Sequence, residues 1–436
     1  MTASKSKKNK YEIDMCNGTV LDKLISFSIP LMLSSILQLL FNAVDIVVVG
    51  RFSGSRALAA VGSTTALINV FTNLFIGVSL GANVLAARFY ATKQEKQMSE
   101  TVHTAVTFAL ISGIVMVFVG LFFSKAALLL MDTPSDVIGQ SALYMRIYFA
   151  GMPFFMLYNY GAAILRAVGD TKRPLFFLII AGIVNAALNL FLVIVLHLGV
   201  AGVAIATVIA QMISCLLVLR CLYRSDGSYQ LRFSAMTIKW IYLKQIFQVG
   251  IPAGIQSTVI NFSNVLLQSS VNSFGSIAMA GYTAANNIFG FLYAAANSIT
   301  QACMSFTSQN YGAGKWKRMD KVLRNCILLS VVVSLILGGG SYLFGPELLK
   351  IYTSDPKVIQ CGILLYTTVT YFMCGLMDLF PGALRGMGYS AIPMLLSIIG
   401  TVGTRIVWIF MIFPRHRSLD VLFISYPASW LITIIL

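Results

Sequence analysis

Long apolar runs that do not alternate constrain this chain more than any other feature. Stretches such as Ile111–Phe123 and Ile327–Leu343 stay apolar without a two-residue period. A membrane barrel strand would alternate over about ten residues. Backbone in hydrocarbon must satisfy its own hydrogen bonds, and a helix does so within one segment. Crossing a core of about 30 Å takes roughly 20 residues. The runs and their polar breaks predict spans over 24–49, 57–86, 101–123, 138–165, 174–197, 200–221, 241–271, 277–309, 322–343, 358–384, 391–413 and 421–436. The last is short, so the twelfth helix is expected to be incomplete.

Composition closes the soluble alternative. Only 11% of the residues are charged and 58% are hydrophobic, against about a quarter charged in soluble domains. Such a chain has too little charge to cover a water-facing surface, which argues against a nucleic-acid-binding domain despite the net +16. Placing the N-terminus in the cytoplasm puts 22 of the 31 basic residues in inner segments, among them Lys5, Lys7, Lys8 and Lys10. That asymmetry follows the positive-inside rule with both termini inside. It makes the charge a topology signal facing anionic lipid. Only Arg146 and Arg405 fall deep within spans, away from their ends. The start shows no cleavable signal pattern. Seven cysteines and three histidines are scattered, so neither a disulfide framework nor a structural metal is expected.

The two halves echo each other. Ile29-Pro30 recurs as Ile251-Pro252, and Ile164-Leu165-Arg166-Ala167-Val168-Gly169 as Ala383-Leu384-Arg385-Gly386-Met387-Gly388. Pro174 and Pro393 follow at equal spacing. An offset near 220 residues repeats six spans as six spans. An even number keeps both copies in one orientation. The expected fold is therefore an all-α polytopic membrane protein of twelve transmembrane helices in two six-helix lobes related by pseudo-two-fold symmetry. Its parts are a cytoplasmic tail over 1–22, an N-lobe over 23–223, a linker over 224–240 and a C-lobe over 241–436. Two-lobed repeats suit alternating access, with substrate held where the lobes meet; ancient duplication kept for packing is the alternative.

Polar residues inside spans carry the candidate chemistry, because charge in hydrocarbon is expensive and faces a cavity, an ion or a partner. Only Asp45 and Asp378 are acidic and deep. Asp45 is the candidate proton or sodium switch. Asn185 and Asn189 stand one helical turn apart, and Asn42 and Gln38 share a face of span 1. Their amides suit sodium ligation, a hydrogen bond to Asp45, or inter-helix adhesion, and Gln38 is in addition a candidate substrate contact. Asn261, Asn264 and Gln268 form a stripe on span 7 that reads as a polar surface facing substrate. Gln256 joins this amide-rich half. Asp378 suits a cationic substrate, with Phe154, Tyr158, Phe289, Tyr293 and Met304 as aromatic or thioether contacts. Arg166 and Arg385 end the duplicated motif as helix-end anchors or gates, and Pro30 marks a bend. Gly182, Gly199 and Gly202 permit close helix contact or tight turns.

These motifs together resemble the multidrug and toxic compound extrusion (MATE) family, nearest its bacterial DinF-like and MepA-like branch. The resemblance rests on Ile29-Pro30, Ala43-Val44-Asp45 and the paired Ile164–Asp170 and Gly382–Gly386 elements, and runs from about residue 22 to the end. It implies export of organic cations or amphipathic drugs against inward H+ or Na+ flow, with Asp45 as the first-helix acid. The DinF-like fifth-helix pattern of Asn then Asp falls on Asn185 and Asn189, so an amide replaces the second acid. The NorM-like helix-7 glutamate falls on Ile260, and Asp378 lies near but out of register with that pattern's helix-10 aspartate. The expected protein is a transporter and not an enzyme. It needs no cofactor beyond the coupling ion, functions as a monomer, and sits in a bacterial inner membrane. Its partners are small organic substrates and lipid, with no nucleic acid. A flippase for a lipid-linked or polyisoprenoid substrate is the alternative.

Overall fold

The computed structural model describes residues 11–131, 133–352, 355–365 and 370–436. Lys5, Lys7, Lys8 and Lys10 lie outside the described residues. Every regular element among the described residues is helical: α1 (Leu21–Phe52), α2 (Gly54–Ala91), α3 (Glu95–Leu130), α4 (Ile138–Ala150), α5 (Met152–Ala167), α6 (Lys172–Leu190), α7 (Gly199–Tyr223), α8 (Trp240–Asn272), α9 (Ser276–Gly312), α10 (Trp316–Leu343), α11 (Gly345–Lys350), α12 (Pro356–Leu365), α13 (Tyr371–Gly386), α14 (Ala391–Ser397), α15 (Thr404–Val407) and α16 (Leu419–Ile435). π-Helical turns extend α6 over Phe191–Val195 and flank α15 over Ile398–Gly403 and Trp408–Ile412.

Grouped by span, these elements make twelve passes in a six-plus-six order. The fourth pass is α4 and α5, joined at Gly151; the tenth is described by α12 and α13; the eleventh runs from α14 to Ile412. Seven passes are long and apolar enough to cross a membrane by length and composition. The other five are α4–α5, α8, α9, α12–α13 and α16. In α8 and α9 the amides lower the hydropathy, and α16 is only 17 residues long.

The duplicated helix-end motif folds alike in both halves. Gly169 and Gly388 take φ of +96° and +95°, a left-handed conformation that suits glycine. At Gly169 an added Cβ would also meet Ile13 O at 2.5 Å. Asp170 is buried beside this turn. It accepts a hydrogen bond from Arg173 N at 3.1 Å and pairs with the Arg173 guanidinium. Burial, opposed by Arg173, still holds the Asp170 carboxyl above the ordinary carboxylate value.

The chain divides into two compact units, and the divisions fall inside helices rather than at the 224–240 stretch. Unit 1 takes Leu33–Ile251 with the chain up to Met15; unit 2 takes Cys16–Met32 and Pro252–Leu436. The local packing explains this. Phe27, before Pro30 on α1, meets Phe306 edge-on with ring centroids 5.6 Å apart. On α8, Gly250 lies against the Val78 backbone, and Gly81 of α2 lies against Ile246. Both long helices therefore change unit within a residue or two of a proline.

Unit 1 buries Phe149, Met152, Met156, Tyr160 and Leu165 of α4 and α5 against α2, α3 and α7. Glu12 accepts hydrogen bonds from Tyr90 Oη at 2.8 Å and Tyr229 Oη at 2.6 Å, tying the N-terminal segment to the same unit. Unit 2 has a smaller aromatic cluster around Tyr282, Tyr371, Phe423 and Trp430. Its Cys16–Gly18 segment is held by Lys315 and Arg318, which donate to Cys16 O at 2.9 Å and Gly18 O at 2.7 Å.

Candidate functional site

Unit 1 contains a polar centre made by α1, α6 and α7. Gly182 creates it. A Cβ there would lie 1.7 Å from the Phe41 ring, so only glycine lets that ring settle against α6. Asp45 follows Phe41 by one helical turn, and Asn185 and Asn189 follow Gly182 by one and two turns. The close crossing thus sets acid opposite amides. Asn189 Nδ2 donates to Asp45 Oδ1 at 2.5 Å and to Asn185 Oδ1 at 3.1 Å. Thr207 Oγ1 of α7 donates to Asp45 Oδ2 at 3.1 Å, and Asn185 Nδ2 reaches Thr207 Oγ1 at 3.5 Å.

Asp45 is buried, 7% exposed, and pairs with no cation among the described residues. Its partners are neutral donors. Asn189 is fully buried, and its Oδ1 makes no hydrogen bond among the described residues. The centre therefore sets a carboxyl group beside a spare carbonyl oxygen, the chemistry that takes up a proton or a hard monovalent cation.

Three of the five polar residues expected on these helices meet: Asp45, Asn185 and Asn189. Asn42 and Gln38 do not join them. Both are exposed on α1, one and two turns before Asp45 on its stripe. Thr207 is the member that sequence reasoning missed, because a single threonine in an alanine- and valine-rich helix looks like packing.

Unit 2 brings another expected set together. Arg385 Nη2 donates to Gln256 Oε1 at 2.5 Å, and Asp378 faces Arg385 and Tyr293. Gln256, Tyr293, Asp378 and Arg385 form one network across α8, α9 and α13. The amide stripe of α8 divides. Asn261 is exposed, Gln268 donates to Asn272 Oδ1 at 2.9 Å, and Asn264 turns inward and accepts from Arg405 Nη1 at 2.8 Å.

The other candidates lie outside these two networks. Tyr158 is buried in unit 1 and donates to Pro174 O at 3.4 Å. Met304 is buried in α9, where its carbonyl lies 2.7 Å from where a Gly386 Cβ would stand. Arg166 is half-buried at the end of α5, and Pro30 is buried within α1.

A helical membrane fold with six-plus-six passes and an acid buried among neutral groups defines a class, the polytopic membrane transporters. The MatE family pattern matches residues 30–191 and 252–411, one copy in each half. The chain belongs to the MatE family of multidrug transporters. It is 29% identical over 423 residues to the probable multidrug resistance protein YoeA of Bacillus subtilis, covering 94% of this chain and 91% of that protein. It is 21% identical over 425 residues to the multidrug export protein MepA of Staphylococcus saprophyticus, covering 94% of each. The fold matches that of an outward-facing multidrug resistance MATE family transporter of the MOP superfamily at a TM-score of 0.90, with 20% identity, 98% of this chain and 96% of that one. The chain is a membrane transporter and not an enzyme.

Proposed function

We propose that this protein exports organic cations or amphipathic drugs by alternating access, driven by inward H+ or Na+ flow through the unit 1 centre. One observation carries the reading. Asp45 is a buried carboxylate whose partners are all neutral and whose neighbour Asn189 keeps a spare oxygen. A proton on Asp45, or a sodium ion between Asp45 and the Asn189 carbonyl, completes that centre. Asn42 and Gln38 supply the polar approach along α1. Occupation changes the charge held among α1, α6 and α7, so ion binding favours one conformation over another by its difference in affinity.

On the substrate side we assign contact to the exposed Asn261, to Gln268, and to the Asp378, Tyr293 and Gln256 network, which presents a carboxylate to a cation. The excess of basic residues in the inner segments supports cytoplasmic termini and a bacterial inner-membrane location. The complete polar centre within one chain supports function as a monomer. Membership of a multidrug family leaves the lipid-linked flippase reading without support.

The test is efflux of a fluorescent organic cation from proteoliposomes under separately imposed proton and sodium gradients. One gradient is expected to drive transport, and Asp45→Asn is expected to abolish the stimulation while the protein stays folded in the membrane. Undiminished stimulation in Asp45→Asn overturns the proposal.

A further inference from the structure

Unit 2 buries a charge that the coupling reaction does not use. Arg405 lies on the short helix α15 between two π-helical turns and is 2% exposed. Its guanidinium is held by neutral groups. Nε donates to Ser429 Oγ at 3.3 Å, and Nη1 donates to Ser263 Oγ at 3.1 Å and Asn264 Oδ1 at 2.8 Å. The Tyr426 ring lies 4.7 Å beneath it. Those contacts fix the guanidinium plane and occupy Nε and both hydrogens of Nη1.

Nη2 is left over. It makes no hydrogen bond among the described residues, yet it keeps accessible surface. Arg405 forms no ion pair among the described residues either. Asp378 of the same unit faces Arg385 and Tyr293, whereas the titratable groups around Arg405 are Tyr426, Cys374 and Tyr282. Two further donors stand beside it unspent. Ser263 and Asn264 use their oxygens to accept from Arg405, and neither the Ser263 hydroxyl hydrogen nor the Asn264 amide nitrogen meets an acceptor among the described residues. A fixed positive charge, an open guanidinium edge and two idle donors converge without an acceptor. Burying a cation is costly unless an opposite charge or complete hydrogen bonding offsets it.

We infer that Arg405, Ser263 and Asn264 form a binding site for a monovalent anionic group, the chemistry shared by chloride and by the carboxylate of an amphipathic substrate. The site is separate from ion coupling at Asp45. If the group is a carboxylate, the transported class extends to zwitterions and amphipathic acids. Asn264 links the site to the α8 stripe, whose preceding turn carries the exposed Asn261.

The experiment uses the purified full-length protein in detergent, with radiolabelled chloride as the probe. Wild type is expected to bind chloride saturably, and Arg405→Gln to weaken that binding at least tenfold. Arg405→Lys, which keeps the charge but loses the planar fork, is expected to fall between them. A measurement on wild type alone guards against a misfolded variant. Its thermal unfolding midpoint is expected to be higher in chloride than in equimolar gluconate, because a ligand that binds only the folded state stabilises it. Competition separates the sources. Displacement by decanoate but not by decanamide assigns the site to a substrate carboxylate, and chloride binding that decanoate leaves untouched assigns it to a resident ion. Absence of saturable chloride binding to wild type, or equal binding by wild type and Arg405→Gln, overturns the inference.

Discussion

Unit 1 buries an acid and unit 2 buries a base, and the same three helices of each half converge on them. In the first half, Asp45 stands on the first pass and is held from the fifth by Asn189 and from the sixth by Thr207. In the second half, Arg405 stands on the fifth pass (the eleventh overall). It is held from the first by Ser263 and Asn264 and from the sixth by Ser429. Both charges have only neutral partners, and both lie next to an unspent hydrogen-bonding atom of opposite need: a carbonyl oxygen at Asn189, donors at Arg405. The repeat therefore fixes which helices meet at a polar centre, while the side chains placed there fix its sign. One centre suits a cation and the other an anion.

The largest expected effect separates the two. Asp45→Asn keeps size and shape but removes the charge. Gradient-driven efflux is expected to fall about tenfold or more, the scale of a lost coupling energy. Arg405→Gln is expected to leave the gradient stimulation of organic-cation efflux within about twofold. Transport in proteoliposomes reads both. Equal losses in the two variants would break the comparison and make the centres one functional unit.

The next effect tests why unit 1 has its centre. Gly182→Ala places a methyl group where the Phe41 ring lies. Overpacking of this kind costs about 1–3 kcal/mol, and here it also drives α1 from α6 and lengthens the Asp45–Asn189 contact. A lower unfolding midpoint with a partial loss of coupling is expected. Adding Phe41→Leu is expected to recover much of both, since the smaller side chain gives back the space. A Gly182→Ala protein with unchanged stability and coupling would show that the close crossing is incidental.

The acid centre was largely legible in the sequence and the basic centre was not, for a physical reason. A carboxylate inside an apolar run is visible at once, and Asn185 and Asn189 advertise a shared face by their spacing. Arg405 was also visible as a basic residue within a span. What it does is set by Ser263 and Asn264, 142 and 141 residues away in sequence, and by serines that look like ordinary membrane-helix residues. The α8 stripe shows the same limit. Helical periodicity placed Asn261, Asn264 and Gln268 on one side, but the neighbours decided that only Asn264 turns inward. The passes follow the same rule. Apolar length alone picks out α3 or α10, whereas the amide-rich α8 and α9 are identified as spans by the repeat and the loop charges.

The smallest effect concerns the hydroxyl that each sixth pass contributes, which works in opposite senses in the two centres. Thr207 donates to the acid, and Ser429 accepts from the base. Each partly satisfies a buried charge and so competes with the ion of opposite sign. Thr207→Val removes the donor at constant shape, leaving Asp45 Oδ2 without a hydrogen bond. Ser429→Ala does the same for Arg405 Nε. Losing a bond of about 1 kcal/mol corresponds to roughly fivefold in affinity. Thr207→Val is therefore expected to bind the coupling ion about threefold to tenfold more tightly, read as a lower half-saturating ion concentration for efflux. Thr207→Ser is expected to stay near wild type. Ser429→Ala is expected to tighten chloride binding by a similar factor without moving the coupling-ion dependence. Weaker ion binding in Thr207→Val would instead make the threonine oxygen a ligand of the ion, and the two hydroxyls would then differ in kind and not only in sign.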